Sequence, residues 1–308
     1  MELRHLRYFL AVGEALNFTK AAAQLRVAQP ALSRQVQDLE EEIGVDLLKR
    51  SPRGVTLTAE GKLFLEEVRE LLKRADESVE KVRALARGEY GELRVGYAPT
   101  PTVEILPPAL TAFQKAVPRV KVLLHDLSSD ELIAGLRDAT LEFAIMVEPI
   151  GEQTAGIEFE LLLTYPLCVA MAAAHPFARL KSIPLEKLAT EPLIALRRKD
   201  YSEYYHFLDR IFAPIRAKPH IAVECDSASS LITEVEAGRG IALANLSFKL
   251  VAGKRLLYRP LTGTTEVGSV GIARATKGYV TPAGEKFCEI LRKISNGANA
   301  AKPRPARS

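Results

Sequence analysis

The chain has 308 residues, 47% of them hydrophobic and 26% charged, with a formal net charge of +4 at pH 7. This length allows two or more domains with apolar cores. The sequence has no run of about 18 apolar residues that would cross a membrane, and it does not open with the basic, apolar and small residues of a secretory signal peptide. We therefore expect a cytoplasmic protein with no membrane partner.

Residues 17–58 predict two short helices followed by a hairpin. Either Asn17 or Thr19 can cap the first helix, because a side-chain oxygen there accepts a hydrogen bond from an otherwise unpaired backbone N–H. After a break at residues 26–28, Pro30 falls in the first turn of the second helix, where its missing N–H costs nothing. Two amphipathic helices joined by a tight break, with a basic turn after them, are typical of a DNA reader.

The second helix divides into an inward and an outward face. Apolar residues recur along it at steps of three and four, which forms one stripe towards a core. The stripe consists of Leu32, Val36, Leu39 and Ile43. Gln29, Ser33 and Arg34 are left to point outward, and their groups can bond base edges or phosphates in a major groove. Because residues 1–58 hold eight basic and seven acidic residues, this prediction depends on placement and not on net charge.

The segment after this helix predicts a short wing. Gly44 ends the helix, and two short apolar strands then flank a turn at residues 49–54. Arg50 and Arg53 lie at its tip, a position that suits a phosphate or a minor groove.

Residues 59–88 predict one long helix with a heptad stripe. Its apolar positions are Leu65, Val68, Leu72, Ala75, Val79, Val82 and Ala86. Charged residues fill most of the gaps, which favours a two-stranded coiled coil over the alternative of a buried core helix.

From Glu92 onward, strands alternate with helices, which predicts an α/β fold with ligand clefts beyond the carboxyl ends of the strands. Hydroxyl and basic side chains follow several of these strands, close to the starts of helices, where an anion is favoured. These candidate effector-binding residues are Thr100, Thr102, Ser128, Ser129, Arg197, Arg198 and Ser227. Ordinary helix capping is the competing explanation for the hydroxyls.

Residues 1–61, MELRHLRYFLAVGEALNFTKAAAQLRVAQPALSRQVQDLEEEIGVDLLKRSPRGVTLTAEG, resemble the winged helix-turn-helix of the LysR-type transcriptional regulators. The whole chain is similar to that family in length and order of parts, although the match is looser after residue 61. The resemblance implies that the start of the second helix meets the major groove and that Arg53 serves the wing. The candidate DNA-binding residues are then Thr19, Gln29, Pro30, Ser33, Arg34, Arg50 and Arg53.

One position departs from the family pattern. Many relatives carry Ser or Thr at the position of Ala28, just before the recognition helix. Alanine has no side-chain oxygen, so this helix is expected to start with a weaker cap, at a cost of about 0.5–2 kcal/mol.

The resemblance also implies the fold class: an N-terminal all-α winged helix-turn-helix, a long linker helix, and two α/β subdomains like those of periplasmic solute-binding proteins. The expected DNA-binding domain is 1–58, the dimerisation helix 59–88 and the regulatory domain 91–308. Subdomain I comprises 91–162 and 268–295 and subdomain II 163–267, joined by crossover strands near Leu163 and Gly268. The small, basic segment 296–308 is expected to be disordered.

The partners follow from the same resemblance. The linker helix would form a homodimer on an inverted-repeat site in double-stranded DNA, further contacts would build a homotetramer, and RNA polymerase is a candidate partner. A small effector, an organic or aromatic acid, would bind between the subdomains, with Thr100 and Ser129 as its first contacts by similarity to members that sense aromatic-pathway acids.

No enzymatic constellation is found. The five histidines have no metal spacing, and neither a nucleophile pair nor a phosphate-binding glycine loop is present, so we predict no catalytic residue, no metal and no cofactor. The alternative is a ligand-binding or enzymatic α/β protein with an incidental helical front. Cys168, Cys225 and Cys288 are expected to be reduced and buried; since some members of the resembled family use a redox-sensor cysteine, that role is the alternative.

Overall fold

The computed structural model describes residues 1–51 and 54–301, so that Arg53 of the predicted wing and residues 302–308 lie outside the described residues. The chain divides into two compact units, Met1–Ala84 and Leu85–Ser308. Within the described part of the chain, no helix is both long and apolar enough to cross a membrane.

The first unit is a helical cluster that carries a hairpin. Its elements are α1 (Leu3–Ala15), α2 (Phe18–Leu25), α3 (Gln29–Ile43), β1 (Leu48–Ser51), β2 (Gly54–Leu57) and α4 (Ala59–Ala86). The core contains Phe9 of α1 together with Leu32, Val36 and Leu39 of α3, all with no exposed surface. The predicted inward stripe of α3 is therefore confirmed at these three positions, whereas Ile43 in the last turn is 37% exposed.

The ends of α2 and α3 follow the local sequence. The Asn17 side chain caps α2 by accepting a hydrogen bond from the backbone N–H of Lys20 at 3.0 Å, and Thr19 lies exposed within the helix. Ala28 precedes α3 with extended backbone and makes no side-chain cap bond, as its sequence predicts. Gly44 ends α3 at φ +80°, a left-handed conformation that glycine adopts without a steric penalty.

The start of α4 is held against the chain before the hairpin. The Thr58 hydroxyl accepts a hydrogen bond from the backbone N–H of Gly61 at 2.8 Å and donates towards the carbonyl of Leu47 at 3.1 Å. A Cβ atom on Gly61 would stand 1.9 Å from that same carbonyl oxygen. Only glycine allows this close approach of helix and loop.

The heptad stripe of α4 has two environments. Leu65, Val68 and Leu72 are buried in the core of the first unit, so these positions are not free for another helix. Further along the same helix, Val79 is 49% and Val82 67% exposed. The stripe thus serves the core of its own unit in its first half and faces solvent in its second half.

The second unit is α/β. Its strands are β3 (Gly91–Tyr97), β4 (Val120–Asp126), β5 (Phe143–Val147), β6 (Ile157–Met171), β7 (Ile183–Pro184), β8 (Pro192–Leu196), β9 (His220–Cys225), β10 (Ala242–Asn245), β11 (Leu257–Thr262) and β12 (Val267–Ala275). Its helices are α5 (Pro99–Thr102), α6 (Leu106–Ala116), α7 (Ser129–Arg137), α8 (Leu185–Leu188), α9 (Ser202–Phe212), α10 (Ala228–Glu236), α11 (Phe248–Ala252) and α12 (Pro282–Ala301).

The main sheet has the strand order β4-β3-β5-β12-β6-β11-β7, with β10 also paired to β6, and β8 pairs with β9. Residues 157–166 of β6 pair with β12, and residues 167–171 pair with β10 and β11. We call the part built on β3, β4 and β5 with α5, α6, α7 and α12 the first subdomain, and the part built on β7–β11 with α8–α11 the second subdomain. Because β6 runs through both parts as one strand, it links the two subdomains.

The C-terminal helix differs from the sequence prediction. Disorder is predicted from residue 296, but α12 continues to Ala301. Ser295 is buried, and Ala298 packs against the core of the first subdomain. The predicted disorder is therefore wrong as far as Ala301.

Candidate functional site

The exposed face of α3 is the first candidate surface. Gln29, Pro30 and Arg34 are exposed and Ser33 is half-buried, opposite the buried stripe of the same helix. Pro30 lies in the first turn. The structure therefore places these four predicted residues together at the N-terminal half of one helix, where side chains of a helix in the major groove contact base edges.

Arg50 does not occupy the free wing tip that its sequence position predicts. It lies in β1, and its guanidinium donates to the Ser33 hydroxyl at 3.2 Å and to Glu40 Oε2 at 3.3 Å. The guanidinium carbon also stands 5.1 Å from the centre of the Phe18 ring. The side chain is thus directed back onto α3 and α2. There the carboxylate of Glu40 accepts a charge-assisted hydrogen bond from the guanidinium.

The second candidate site is a cavity of about 300 Å³ in the second unit. Its wall consists of residues that follow β3, β4, β5 and β8, together with parts of α9, α10, β10 and β12. Both subdomains contribute to it. The carboxyl ends of parallel strands meet at one edge of a sheet, which is why segments far apart in sequence form one cleft.

Three of the predicted effector residues line this cavity: Thr100, Ser129 and Ser227. The Ser129 hydroxyl donates to Glu203 Oε1 at 2.7 Å. The Ser227 side chain caps α10 by accepting from the backbone N–H of Ser230. Among the described residues, the Thr100 hydroxyl has no hydrogen-bond partner, so it remains open to a ligand.

The other four predicted effector residues do not line the cavity. Thr102 is 1% exposed and donates its hydroxyl to the carbonyl of Ala98 at 2.7 Å. Ser128 forms a capping box with Glu131 at the start of α7, the ordinary capping that competes with its ligand role. Local backbone and capping bonds use both hydroxyls, so the structure does not bring these two predicted residues to the cavity.

Arg197 and Arg198 are also directed away from the cavity. Arg197 pairs with Asp200 at 3.4 Å. The guanidinium of Arg198 lies 4.0 Å from the centre of the Tyr205 ring, a cation–π contact. Neither side chain contributes positive charge to the cavity wall.

Helix α9 supplies site residues that the sequence reasoning missed. Tyr204, Phe207 and Arg210 of α9 line the cavity, as does Tyr201 directly before the helix. Arg210 pairs with Glu266 at 2.6 Å. The signal was available in the aromatic spacing along α9, but only the tertiary fold shows that this face turns towards the cleft.

Glu203 is the most buried charged group of the cavity wall, with 5% of its surface exposed. Its Oε1 accepts from the Ser129 hydroxyl at 2.7 Å and its Oε2 from the Gln153 amide at 3.1 Å. Burial raises the pKa of Glu203, and the bonds from Ser129 and Gln153 oppose part of that rise. Burial also raises the pKa of Asp126, a second carboxyl on the wall, and it raises the pKa of Tyr201 to about 12 with help from the nearby acidic groups.

A polar cluster beside the cavity joins α7 of the first subdomain to α9 of the second. Asp130 accepts from the backbone N–H of Ser202 at 3.2 Å and from its hydroxyl at 2.9 Å. The Gln153 amide donates to Asp130 at 2.7 Å and reaches Ser202 at 3.1 Å. The cluster therefore fixes the spacing of the two helices that contribute Ser129 and Glu203 to the wall.

The three cysteines are buried. Burial raises the pKa of the Cys168 thiol to about 12 and that of Cys288 to about 11, and desolvation is also the main cause of the raised pKa of Cys225. Thiolates are the reactive form of cysteine, so this environment favours unreactive thiols over a redox sensor. Within the described residues, no group of three His, Cys, Asp or Glu side chains could hold a metal ion.

Comparison with known families divides the chain in two. Residues 3–62 match the family described as a bacterial regulatory helix-turn-helix protein of the lysR family. Residues 86–295 match the LysR substrate binding domain.

The chain is also similar to characterised regulators over most of its length. It is 35% identical over 261 residues to the HTH-type transcriptional regulator AlsR of Bacillus subtilis, covering 85% of this chain and 86% of AlsR. It is 31% identical over 294 residues to the Hca operon transcriptional activator HcaR of Escherichia coli, covering 95% and 98% of the two chains.

Solved structures agree with these matches. Full-length CbnR in complex with its target DNA has a TM-score of 0.79 to this chain at 30% identity, covering 96% of this chain and all of that one. Full-length BenM has a TM-score of 0.59 at 29% identity, covering 99% of this chain and all of that one. The predicted fold class, a helix-turn-helix followed by two α/β subdomains, is confirmed.

Proposed function

Since the chain belongs to the LysR family of DNA-binding transcriptional regulators, we propose that it binds an inverted-repeat site as a dimer and that a small effector in the cavity changes its DNA-bound geometry. The observation that carries this proposal is the presence, in one chain, of an exposed polar face on α3 and a cavity between two α/β subdomains. A cytoplasmic location follows from the proposed target, chromosomal DNA.

For DNA recognition we assign the major-groove contacts to Gln29, Ser33 and Arg34. Glutamine can bond bidentately to an adenine edge and arginine to a guanine edge or a phosphate. The cap-free N-terminus of α3 leaves backbone N–H groups available to a phosphate, as at other helix N-termini.

Dimerisation is assigned to the second half of α4. Val79, Val82 and Leu85 are 49%, 67% and 56% exposed and form an apolar strip there, which Leu71 extends towards the middle of the helix. Two such helices bury these residues against each other, and the resulting two-fold symmetry requires an inverted repeat. Contacts between second units would then build a tetramer, and RNA polymerase is the partner through which transcription would change.

For the effector we propose an organic or aromatic acid. Its ring or chain would lie among the apolar and tyrosine side chains of the wall, and its carboxylate would meet the open Thr100 hydroxyl and the guanidinium of Arg210, which would exchange part of its bond to Glu266 for the ligand. Closure of the subdomains on this ligand would change the DNA-bound geometry only as far as the ligand prefers one arrangement over the other.

The wall also supports a second ligand class. Asp126, Glu148 and Glu203 all line the cavity, and within the described residues none of them has a cationic partner. A small aromatic amine would find acceptors there, whereas a ligand carboxylate placed beside these three side chains would be repelled. The two ligand classes carry opposite charges into the same cavity, so one titration distinguishes them.

The test is a thermal-unfolding titration of the full-length protein with a panel of small carboxylic acids, their amide analogues and aromatic amines. An acid effector raises Tm in proportion to the logarithm of its concentration above Kd, and the matching amide does not. A rise with amines alone supports the second class, and no rise with any carboxylate contradicts the acid proposal.

A matched pair of variants tests whether the effector binds in the cavity. Ser229 is exposed and lines the cavity mouth, whereas Thr233 lies one turn further along α10, exposed and outside the lining. Ser229→Trp should abolish the ligand-induced rise in Tm, and Thr233→Trp should preserve it. An effector that stabilises both variants equally would have to bind elsewhere.

A further inference from the structure

A polar link joins the wing to the recognition helix. One oxygen of Glu40, in α3, accepts from the backbone N–H groups of Leu47 and Leu48 at 2.8 and 2.9 Å. Its other oxygen accepts from the Arg50 guanidinium at 3.3 Å. The Glu40 side chain is only 10% exposed, so this carboxylate is committed to the chain that enters β1.

Arg50 extends the link along α3. The second guanidinium nitrogen donates to Ser33, which lies seven residues before Glu40, two turns nearer the start of the helix. The ring of Phe18 from α2 lies on one side of the guanidinium. One side chain therefore contacts α2, α3 and the strand that carries it.

The contact from Arg50 also determines whether the Ser33 hydroxyl is used as a donor or as an acceptor. A guanidinium only donates, so the Ser33 oxygen is used as an acceptor and its hydroxyl proton is left to donate. Within the described residues, no group accepts that proton. Ser33 is next to Arg34 on the exposed half of the helix, and its free O–H suits an acceptor on a base edge or a phosphate oxygen.

We propose that Arg50 is a positioning residue for DNA recognition: through Glu40 and Ser33 it fixes the wing against the recognition helix and makes Ser33 a hydrogen-bond donor. It does not itself neutralise a DNA phosphate. Its charge is already paired with Glu40, and the two terminal guanidinium nitrogens each direct an N–H onto α3. This assignment differs from a wing arginine that reaches the DNA backbone, and it makes Glu40, an acidic residue, favourable for binding a polyanion.

The experiment measures the affinity of the full-length protein for a duplex that it enriches from a random pool, and for an unrelated duplex, across a series of salt concentrations. The variants are Arg50→Gln, Glu40→Gln and the double variant. Lys49→Gln is the matched control, because Lys49 is the exposed neighbour of Arg50 in β1 and its substitution removes one positive charge from the same strand. Thermal unfolding of each variant reports whether the first unit remains folded.

The proposal predicts that Arg50→Gln and Glu40→Gln each lower the affinity for the enriched duplex by about tenfold, as expected for loss of a charge-assisted contact. The double variant should bind no more weakly than the singles, since both break one link. Affinity for the unrelated duplex should change no more than in Lys49→Gln, and the slope of log affinity against log salt should match the wild-type slope.

A direct phosphate contact gives the opposite pattern. Arg50→Gln would then lower affinity for both duplexes alike and reduce the salt slope by about one, and Glu40→Gln would bind as tightly as the wild type or more tightly. That pattern overturns the proposal.

Arg50→Lys covers the case in which the glutamine variants lose their fold. It retains the positive charge but not the fork that spans Ser33 and Glu40. A loss of specific binding supports the positioning role, and wild-type affinity contradicts it. Failure of the wild-type chain to enrich any duplex would count against the proposed function as well, whereas the variant patterns bear on Arg50 alone.

Discussion

The two candidate sites of this protein are built in opposite ways. The recognition face of α3 comes from one stretch of sequence, in which every third or fourth residue is buried and the polar residues between them lie on the opposite face of one helix. The cavity of the second unit brings together Ala98 and Ser269, 171 positions apart, with contributions from several strands and helices. A helix can therefore present its polar face from local sequence, whereas the cavity wall exists only once the subdomains have folded and met.

The sharpest test of this contrast compares one substitution on the inward face of α3 with one on its outward face. Leu32 has no exposed surface, so Leu32→Ala should destabilise the first unit by roughly 2–5 kcal/mol through lost burial and a cavity. Gln37→Ala, at an exposed position of the same helix, should change stability by less than about 0.5 kcal/mol. Chemical denaturation measures both, and equal unfolding midpoints for the two variants would contradict the division of the helix.

The outward face should show the reverse behaviour. Arg34→Ala is expected to weaken binding to the enriched duplex by about 1–3 kcal/mol, while thermal unfolding of the protein stays at the wild-type temperature. Lys73→Ala, which removes an exposed positive charge from the middle of α4, is the control and should bind nearly as well as the wild type. If Arg34→Ala also bound normally, α3 would not be the reading helix as described.

The start of α3 offers a gain of stability. Ala28 has the extended backbone of an N-cap residue but no capping side chain. Ala28→Ser should therefore raise the free energy of unfolding by about 0.5–2 kcal/mol, and Ala28→Val, which has no hydroxyl, should not. Denaturation of the pair checks the capping argument, which fails if valine stabilises as much as serine.

Burial of Glu203 in the cavity wall should make the stability of the protein depend on pH. The pKa of Glu203 is raised in the folded protein, so its contribution to stability is fully present below its ordinary value of 4.5 and is lost as the pH rises through the folded-state pKa. Glu203→Gln removes this loss, and its Tm relative to wild type should climb as pH rises from about 4.5.

Asp209→Asn, at an exposed position of the same helix, is the matched control for that measurement. A constant offset between Glu203→Gln and wild type reflects altered hydrogen bonds to Ser129 and Gln153 and does not depend on pH. A flat difference curve for Glu203→Gln would contradict the raised pKa.

The contrast also explains what the sequence could predict. The stripe of α3, the missing cap at Ala28 and the long helix α4 follow from periodicity and capping rules, which act over a few residues. The direction of Arg50 does not, because it depends on Glu40 and Ser33 being brought beside β1. Its neighbour in the prediction, Arg53, lies outside the described residues.

The cavity shows the same limit more strongly. Thr100, Ser129 and Ser227 were found because they follow strands. Ser128 follows β4 just as Ser129 does, but its hydroxyl is used in the capping box with Glu131. Tyr201 and Arg210 were missed because nothing in the local pattern of α9 tells which face meets the cleft. Sequence position after a strand thus predicts the neighbourhood of a ligand, and packing decides which side chains reach it.

The most direct test of the account is selection of duplexes from a random pool by the full-length protein, followed by sequencing of the bound fraction. The account predicts enrichment of an inverted repeat whose half-sites are separated by one helical turn, roughly 10 base pairs, or a multiple of it, and loss of that enrichment in Arg34→Ala. A bound fraction with no enriched motif, or an enriched motif that the Arg34→Ala variant selects equally well, would contradict the account.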